Sequence, residues 1–190
     1  MSTFLGVRGS GRELLAGGPD IEAWFAARHT RRERTRTELE GLVRELAIRP
    51  GLWRGLVEHS PVERIYSRLH LDANLEVWLI CWSRLQDTGF HDHNGSRGAV
   101  AVVDGALAER RLAFGSPAAP TVVYGAGNTF SFDGSHIHDV SQTGVRDATS
   151  LHAYSPALGP MGFYEVTTDG LLSRRVGDVG EEFCCPSGIH

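Results

Sequence analysis

The stretch GFHDHNGSRGAVAVVDG, residues 89–105, decides the fold class. Gly98–Val103 is a short apolar run that ends at the turn pair Asp104-Gly105, as a buried strand does. Ahead of it stands His91-Asp92-His93. Residues i and i+2 of a strand share one face, so both imidazoles project to the same side. Two imidazoles at that spacing can hold one metal ion at adjacent coordination positions. Two surface histidines on an edge strand would show the same pattern.

Outward from this stretch, short apolar or alternating runs continue: Arg64–Asp72, Glu76–Trp82, Ala106–Phe114, Thr121–Tyr124, Thr129–Phe132, His138–Ser141, Thr149–Ser155 and Gly162–Val166. Turn signals separate them at Asp72-Ala73-Asn74, Gly125 to Asn128 and Asp133-Gly134. Many short strands at close spacing predict an all-β barrel or sandwich. Before residue 60 the pattern is helical. Pro19-Asp20 precedes Ile21, Trp24, Phe25 and Ala26, and Leu39, Leu42, Val43 and Leu46 mark the apolar face of a second helix. Thr30 with Glu33 fits a capping box at its start. The charged run Arg31 to Arg36 then reads as a solvated helix end, with a phosphate-binding patch as the sharper alternative. The expected organisation is one domain over residues 1–190. Residues 1–58 are mainly helical and pack on a β-barrel of residues 60–168; the tail 169–190 shows no clear element.

Composition bounds the function. Hydrophobic residues make up 41% and charged residues 22%, ordinary for a globular chain, and the net charge of −4 argues against nucleic acid as a partner. All 19 basic residues are arginine, which excludes Schiff-base, P-loop and pyridoxal chemistry that needs lysine. Cys81, Cys184 and Cys185 form neither a disulfide framework nor a CxxC motif. Cys81 reads as a buried core thiol; Cys184 and Cys185 receive no role. Met1 to Gly18 lacks a continuous apolar core, and no run reaches the roughly 18 apolar residues of a membrane span. The expectation is a cytoplasmic monomer with no membrane partner.

Five of the nine histidines are His91, His93, His136, His138 and His152. A third metal ligand must come from another strand, and His136 and His138 are both candidates. Alternation puts Tyr66, Arg68 and His70 on one face of their strand, with Ile65, Leu69 and Leu71 on the other. It likewise puts Ser150, His152 and Tyr154 on one face. Polar groups turned into a barrel need partners, at roughly 1–3 kcal/mol for each one left unpaired. A buried arginine calls for an anion. For Arg68 that anion is either Asp72 or Glu76 in a structural pair, or a ligand carboxylate held by two parallel hydrogen bonds.

Taken together these motifs resemble known families. His91, His93 and Gly105 fit part of the first cupin motif; Gly98 stands at its glutamate position, leaving a neutral three-histidine set. Tyr66-Ser67-Arg68, Leu79-Ile80-Cys81-Trp82, His91-Asp92-His93, His138-Asp139-Val140 and Ser150-Leu151-His152-Ala153-Tyr154-Ser155-Pro156, in that order, resemble the cysteine dioxygenase family over roughly residues 19–168. The resemblance implies an all-β cupin, a small β-barrel or jelly roll with the helical segment packed on it. It further implies Fe(II) held by His91, His93 and His138, with O2 as co-substrate and no organic cofactor. Arg68 would grip the carboxylate of a small thiol substrate, with Tyr66 beside it. Tyr154 would place its hydroxyl near the iron, positioned by Ser150 and His152. Gly98 stands where the family often has a cysteine crosslinked to the tyrosine, so no thioether forms here; bacterial relatives often carry glycine. His136 falls at the barrel mouth, and His70, in line with Arg68, enters the substrate pocket.

The implied activity is an iron-dependent thiol dioxygenase, with L-cysteine converted to cysteine sulfinate. Other thiols, mercaptopropionate-like or thiol-imidazoles such as ergothioneine, are the alternative. Mercaptopropionate-type relatives usually carry glutamine in place of Arg68. More distant are a non-catalytic cupin that binds a small molecule and a zinc hydrolase or isomerase cupin. The latter lacks the usual glutamate at Gly98.

Overall fold

Glu76–Trp82 is buried at every position, which requires cover on both faces of the strand. The computed structural model, which describes residues 11–14, 18–112, 120–166 and 172–177, supplies that cover. Twelve strands are described: β1 Gly11–Leu14, β2 Arg64–Leu71, β3 Glu76–Trp82, β4 Phe90–Asp92, β5 Arg97–Asp104, β6 Ala106–Arg111, β7 Thr121–Gly125, β8 Thr129–Phe132, β9 His138–Gln142, β10 Ala148–Ser155, β11 Met161–Val166 and β12 Leu172–Gly177. Sheet one has the order β1-β2-β3-β10-β5-β8 and sheet two the order β12-β11-β4-β9-β6-β7. From β3 to β10 the chain crosses back and forth between sheets, so β3, β10, β5 and β8 face β4, β9, β6 and β7. That is the strand order of a jelly roll. The expected barrel is therefore two facing sheets, which hydrogen bonds among the described residues do not close into a cylinder.

The inner faces share one apolar cluster. Trp78, Ile80, Trp82, Val100, Val102 and Phe130 come from sheet one, Leu107 and Val140 from sheet two. The outer face of sheet one carries Val77, Leu79, Ala99, Ala101, Leu151 and Ala153. Its small alanines let helices lie close. Two helices, α1 Pro19–Ala26 and α2 Arg36–Ala47, present Ile21, Phe25, Leu39, Leu42, Val43 and Leu46 to it. Each such side chain contributes about 1.5–3 kcal/mol when withdrawn from water. The positions 39, 42, 43 and 46 are the predicted apolar stripe.

Three expectations are corrected. The cap of α2 is Thr35, whose hydroxyl accepts from the Glu38 amide while the Glu38 carboxylate accepts from the Thr35 amide. Thr30 lies outside the helix and donates to Arg32 O. The arginine run is thus mostly a connector, residues 31–35, and only Arg36 opens the helix: Arg32 pairs with Glu38 and Arg36 with Asp133, while Glu33 takes Arg97. Finally, β12 falls within the tail that showed no clear element. Cys184 and Cys185 lie outside the described residues; Cys81 is buried, and burial pushes its thiol up to about 11.

Gly105 explains the turn that closes the opening stretch. Its φ is +67°, and a Cβ there would come within 2.4 Å of the Asp147 carbonyl oxygen. At the other end of the stretch Asn94 and Gly95 both have positive φ, 50° and 93°, in the tight turn that carries the chain from β4 in sheet two to β5 in sheet one, closed by the Ser96 amide donating to His93 O.

Candidate metal centre

β4 and the turn after it set the first two ligands. His91 lies in β4 and His93 follows its end; His138 opens β9 and is paired in register with His91. The three rings converge, with centroids 4.8 Å apart for His91–His93 and His91–His138, and 5.1 Å for His93–His138. One ligand nitrogen from each lies within 4.8 Å of the other two. All three are buried.

Two of the rings are oriented by hydrogen bonds. His91 Nδ1 donates to Gly89 O at 3.0 Å, and His138 Nδ1 to Glu109 Oε1 at 3.0 Å. Each bond selects the Nδ1–H tautomer and leaves Nε2 as the ligand atom. His93 differs: neither of its ring nitrogens has a hydrogen-bond partner, although the ring is 1% exposed. A buried polar atom without a partner is costly, and a metal ion beside His91 and His138 would supply the partner. Burial pushes all three imidazoles below their ordinary value; neighbouring imidazoles add to this for His91 and His93, and the Glu109 carboxylate opposes it for His138. They are neutral at neutral pH, the form that binds metal. The residues therefore fit a divalent cation.

Glu109 was not foreseen. It is fully buried in β6, where Leu107, Glu109 and Arg111 share the inner face. A charge in phase with a core leucine is the signal that could have revealed it. Its carboxylate accepts from His138 Nδ1 and His136 Nε2 at 3.0 Å each, and from Arg111 Nε and Nη2 at 3.0 and 2.9 Å. Burial alone would raise its pKa, but these donors hold it below the usual carboxylate range. His136 thus faces Glu109. Glu109, His136 and His138 also offer a possible ligand set, in which every member is already hydrogen-bonded.

The outer face braces the same strands. Asp92, between the two histidines, accepts from Tyr164 Oη at 2.6 Å, Arg174 Nε at 2.9 Å and the Asn94 amide at 2.9 Å. Burial opposes ionisation, yet Arg174 and Tyr164 hold its carboxyl down to about 2. Arg174 comes from β12, so the unanticipated strand clasps the ligand strand. Asp139, next to His138, pairs with Arg110.

Across from the histidines, β10 sends Ser150, His152 and Tyr154 inward. Trp82 Nε1 donates to Ser150 Oγ at 2.8 Å, Ser150 Oγ meets His152 Nε2 at 2.8 Å, and His152 Nδ1 meets Tyr154 Oη at 3.2 Å. Burial, then His138 and the Arg64 guanidinium, drive His152 down to about 3. The Tyr154 ring lies 5.2 Å from that of His93. Gly98, in register with Tyr154, leaves a space that Phe132 fills.

Arg68 and Tyr66 share the inner face with Trp78. The Arg68 guanidinium sits 5.2 Å from the Trp78 ring centre, and Tyr66 meets Trp78 edge-on at 5.7 Å. Arg68 Nη1 also lies 3.7 Å from Glu76 Oε1, one of the two structural partners its sequence allowed. Burial raises Glu76, against opposing hydrogen bonds and Arg68. His70 is not with them. A bulge at Leu69 shifts the register, so Arg68 pairs with Trp78 and His70 with Val77. His70 therefore turns to the helix side, stacks on Phe25 at 4.5 Å and meets Asp72 at 3.2 Å.

No curated protein matches the chain. Similar solved structures include an uncharacterised conserved protein with a double-stranded β-helix domain from Klebsiella pneumoniae subsp. pneumoniae, 14% identical over 66% of this chain and 93% of that one, TM-score 0.48. Another is a cupin superfamily protein from Desulfitobacterium hafniense, 10% identical over 54% and 86%, TM-score 0.47. The profile of the family described as cysteine dioxygenase type I matches residues 38–166, a span that includes the three histidines, Glu109 and the Ser150–Tyr154 strand. With that match over more than half of its length, the chain belongs to the cysteine dioxygenase type I family.

Proposed function

We propose that the protein is an iron-dependent thiol dioxygenase that converts a small thiol, L-cysteine first, to its sulfinate. The observation that carries this is the buried His93 ring, with neither nitrogen hydrogen-bonded, beside His91 and His138. His91, His93 and His138 would hold ferrous iron. Bound there, the ion supplies a site where a thiolate and dioxygen react, and both oxygen atoms end on sulfur. Three neutral imidazoles leave the 2+ charge to favour a thiolate.

The chain's own groups do the rest. Trp82 N–H can only donate, so Ser150 Oγ accepts from it; His152 Nε2 is the acceptor within reach of the Ser150 hydrogen, and we take that hydrogen to go there. In that arrangement His152 is the Nδ1–H tautomer, donates to Tyr154 Oη and lets the tyrosine hydroxyl donate in turn. His152 stays neutral throughout, because burial disfavours its cation. Tyr154 offers its O–H to the oxygen being added to sulfur, as a fixed donor that needs no reorganisation. Arg68 orients the substrate by its carboxylate, away from the reacting atoms. The apolar walls Trp78, Val100 and Phe132 keep water out.

A second reading, a thiol without a carboxylate, is favoured by Glu76 beside Arg68. The test is oxygen uptake by iron-loaded protein with cysteine, mercaptopropionate, cysteamine and ergothioneine, with sulfinate detected by mass. Cysteine as the best substrate supports the first reading, and cysteamine, the one thiol of the four without a carboxylate, the second. Iron-loaded protein that consumes no oxygen with any of them overturns both.

A further inference from the structure

Of the three converging histidines, His93 alone lacks a hydrogen bond to set its ring, so something else must orient it. Gly89 O fixes His91 and Glu109 fixes His138. Around His93 the close neighbour is an aromatic face: Phe132 stacks on it at 4.6 Å with planes 23° apart. The same ring meets His138 edge-on at 4.7 Å and His136 face-on at 5.3 Å.

The backbone leaves Phe132 this position at the expense of residue 98. Three strands align Phe132, Gly98 and Tyr154 in register on the inner face of sheet one. A Cβ on Gly98 would lie 2.1 Å from Phe132 Cζ and 2.4 Å from Cε2. Any side chain there must push the ring off. Glycine inside a strand is unfavourable on backbone grounds, and a ring lying across it restores the missing contact.

We propose that Phe132 is the positioning residue for His93, doing by stacking what Gly89 and Glu109 do by hydrogen bonds, and that residue 98 is glycine to admit its ring. Phe132 touches no substrate in this role; it acts through the ligand. The inference rests on the three-histidine reading, and the experiment separates the two.

Cobalt(II) is titrated into the full chain, stripped of metal, against a competing chelator, with its visible absorption recorded and unfolding of the metal-free protein followed in parallel. Wild type that binds no cobalt overturns the metal reading itself. Given wild-type binding, Phe132→Leu keeps apolar bulk but loses the flat face. It is expected to weaken cobalt binding about 10–100-fold, the usual effect of losing a group that orients a ligand. Gly98→Ala is expected to do the same by displacing the ring, with a changed absorption spectrum. In Gly98→Ala/Phe132→Leu the methyl fills vacated space, so the two losses are expected not to multiply. Folded Phe132→Leu or Gly98→Ala protein that binds cobalt as tightly as wild type overturns the proposal. If the single variants do not fold, the double variant carries the test, and wild-type affinity in it also overturns the proposal.

Discussion

Replacing Glu109 by glutamine tests whether a buried carboxylate sets the ligand histidine from behind. The side chain keeps its size and loses its charge. In the native protein one oxygen takes His136 and His138, the other takes Arg111 twice. A glutamine can serve only one side correctly. With its oxygen toward the histidines, its NH2 faces the Arg111 guanidinium. Two charge-assisted bonds of about 1.5–3 kcal/mol each are then lost. Arg111 is 40% exposed and regains water, so the net destabilisation of the metal-free protein is about 2–4 kcal/mol, near the low end for a broken buried pair. His138 keeps a neutral acceptor, a bond roughly half as strong. With the amide reversed, an N–H faces His138 Nδ1 and forces the hydrogen to Nε2, blocking the ligand atom. Metal affinity should therefore fall about 10–100-fold. Urea unfolding of the metal-free protein gives the first quantity and a chelator-competed cobalt titration the second. Glu109→Gln protein with wild-type values for both would refute the reasoning.

Other outcomes follow from the clasp, the cap and the pocket. Arg174→Ala leaves Asp92 with fewer donors and should lower the urea midpoint and weaken metal binding, although Arg174 lies far from the histidines in sequence. Thr35→Ala should cost about 0.5–2 kcal/mol, read from the same assay. Arg32 and then the Thr35 amide hold the Glu38 carboxyl at about 2, against an ordinary 4.5. Its contribution is full above pH 4.5 and lost as pH falls toward 2, so Glu38→Gln should flatten the stability profile in that window. Glu76→Gln removes the anion beside Arg68 and should lower KM for carboxylated thiols with little change for cysteamine; an unchanged ratio would detach Glu76 from substrate choice.

Local rules made much of this legible. Glu76–Trp82 and Thr129–Phe132 begin and end where their apolar runs do, and the 39-42-43-46 stripe meets sheet one as its spacing requires. Strict alternation failed at one residue. The bulge at Leu69 arises from pairing with β3, a partner that the β2 sequence does not specify, and it carries His70 to the opposite face. Thr30 and Thr35 head equivalent T-x-x-E strings. The choice falls to Thr35 because Leu39, one turn on, is the first side chain able to reach the sheet. Glu109 needed a third dimension: its partners come from β9, the turn before it, β7 and its own strand, and only folding brings them together.

The position of β4, between β9 and β11, also bears on when metal can enter. During synthesis the His91/His93 pair leaves the ribosome well before His138, by roughly 2–9 s at usual elongation rates. The strand that caps its other edge comes later still, with Gly162 bonding Asp92 across 70 residues. Until His138 emerges, the chain displays a two-imidazole pair with no third arm. Such an open pair ranks divalent ions by general affinity, an order that puts copper far above ferrous iron. Closing sheet two adds the third imidazole and a fixed geometry together. A metal ion held here would meet its full ligand set only once sheet two has closed.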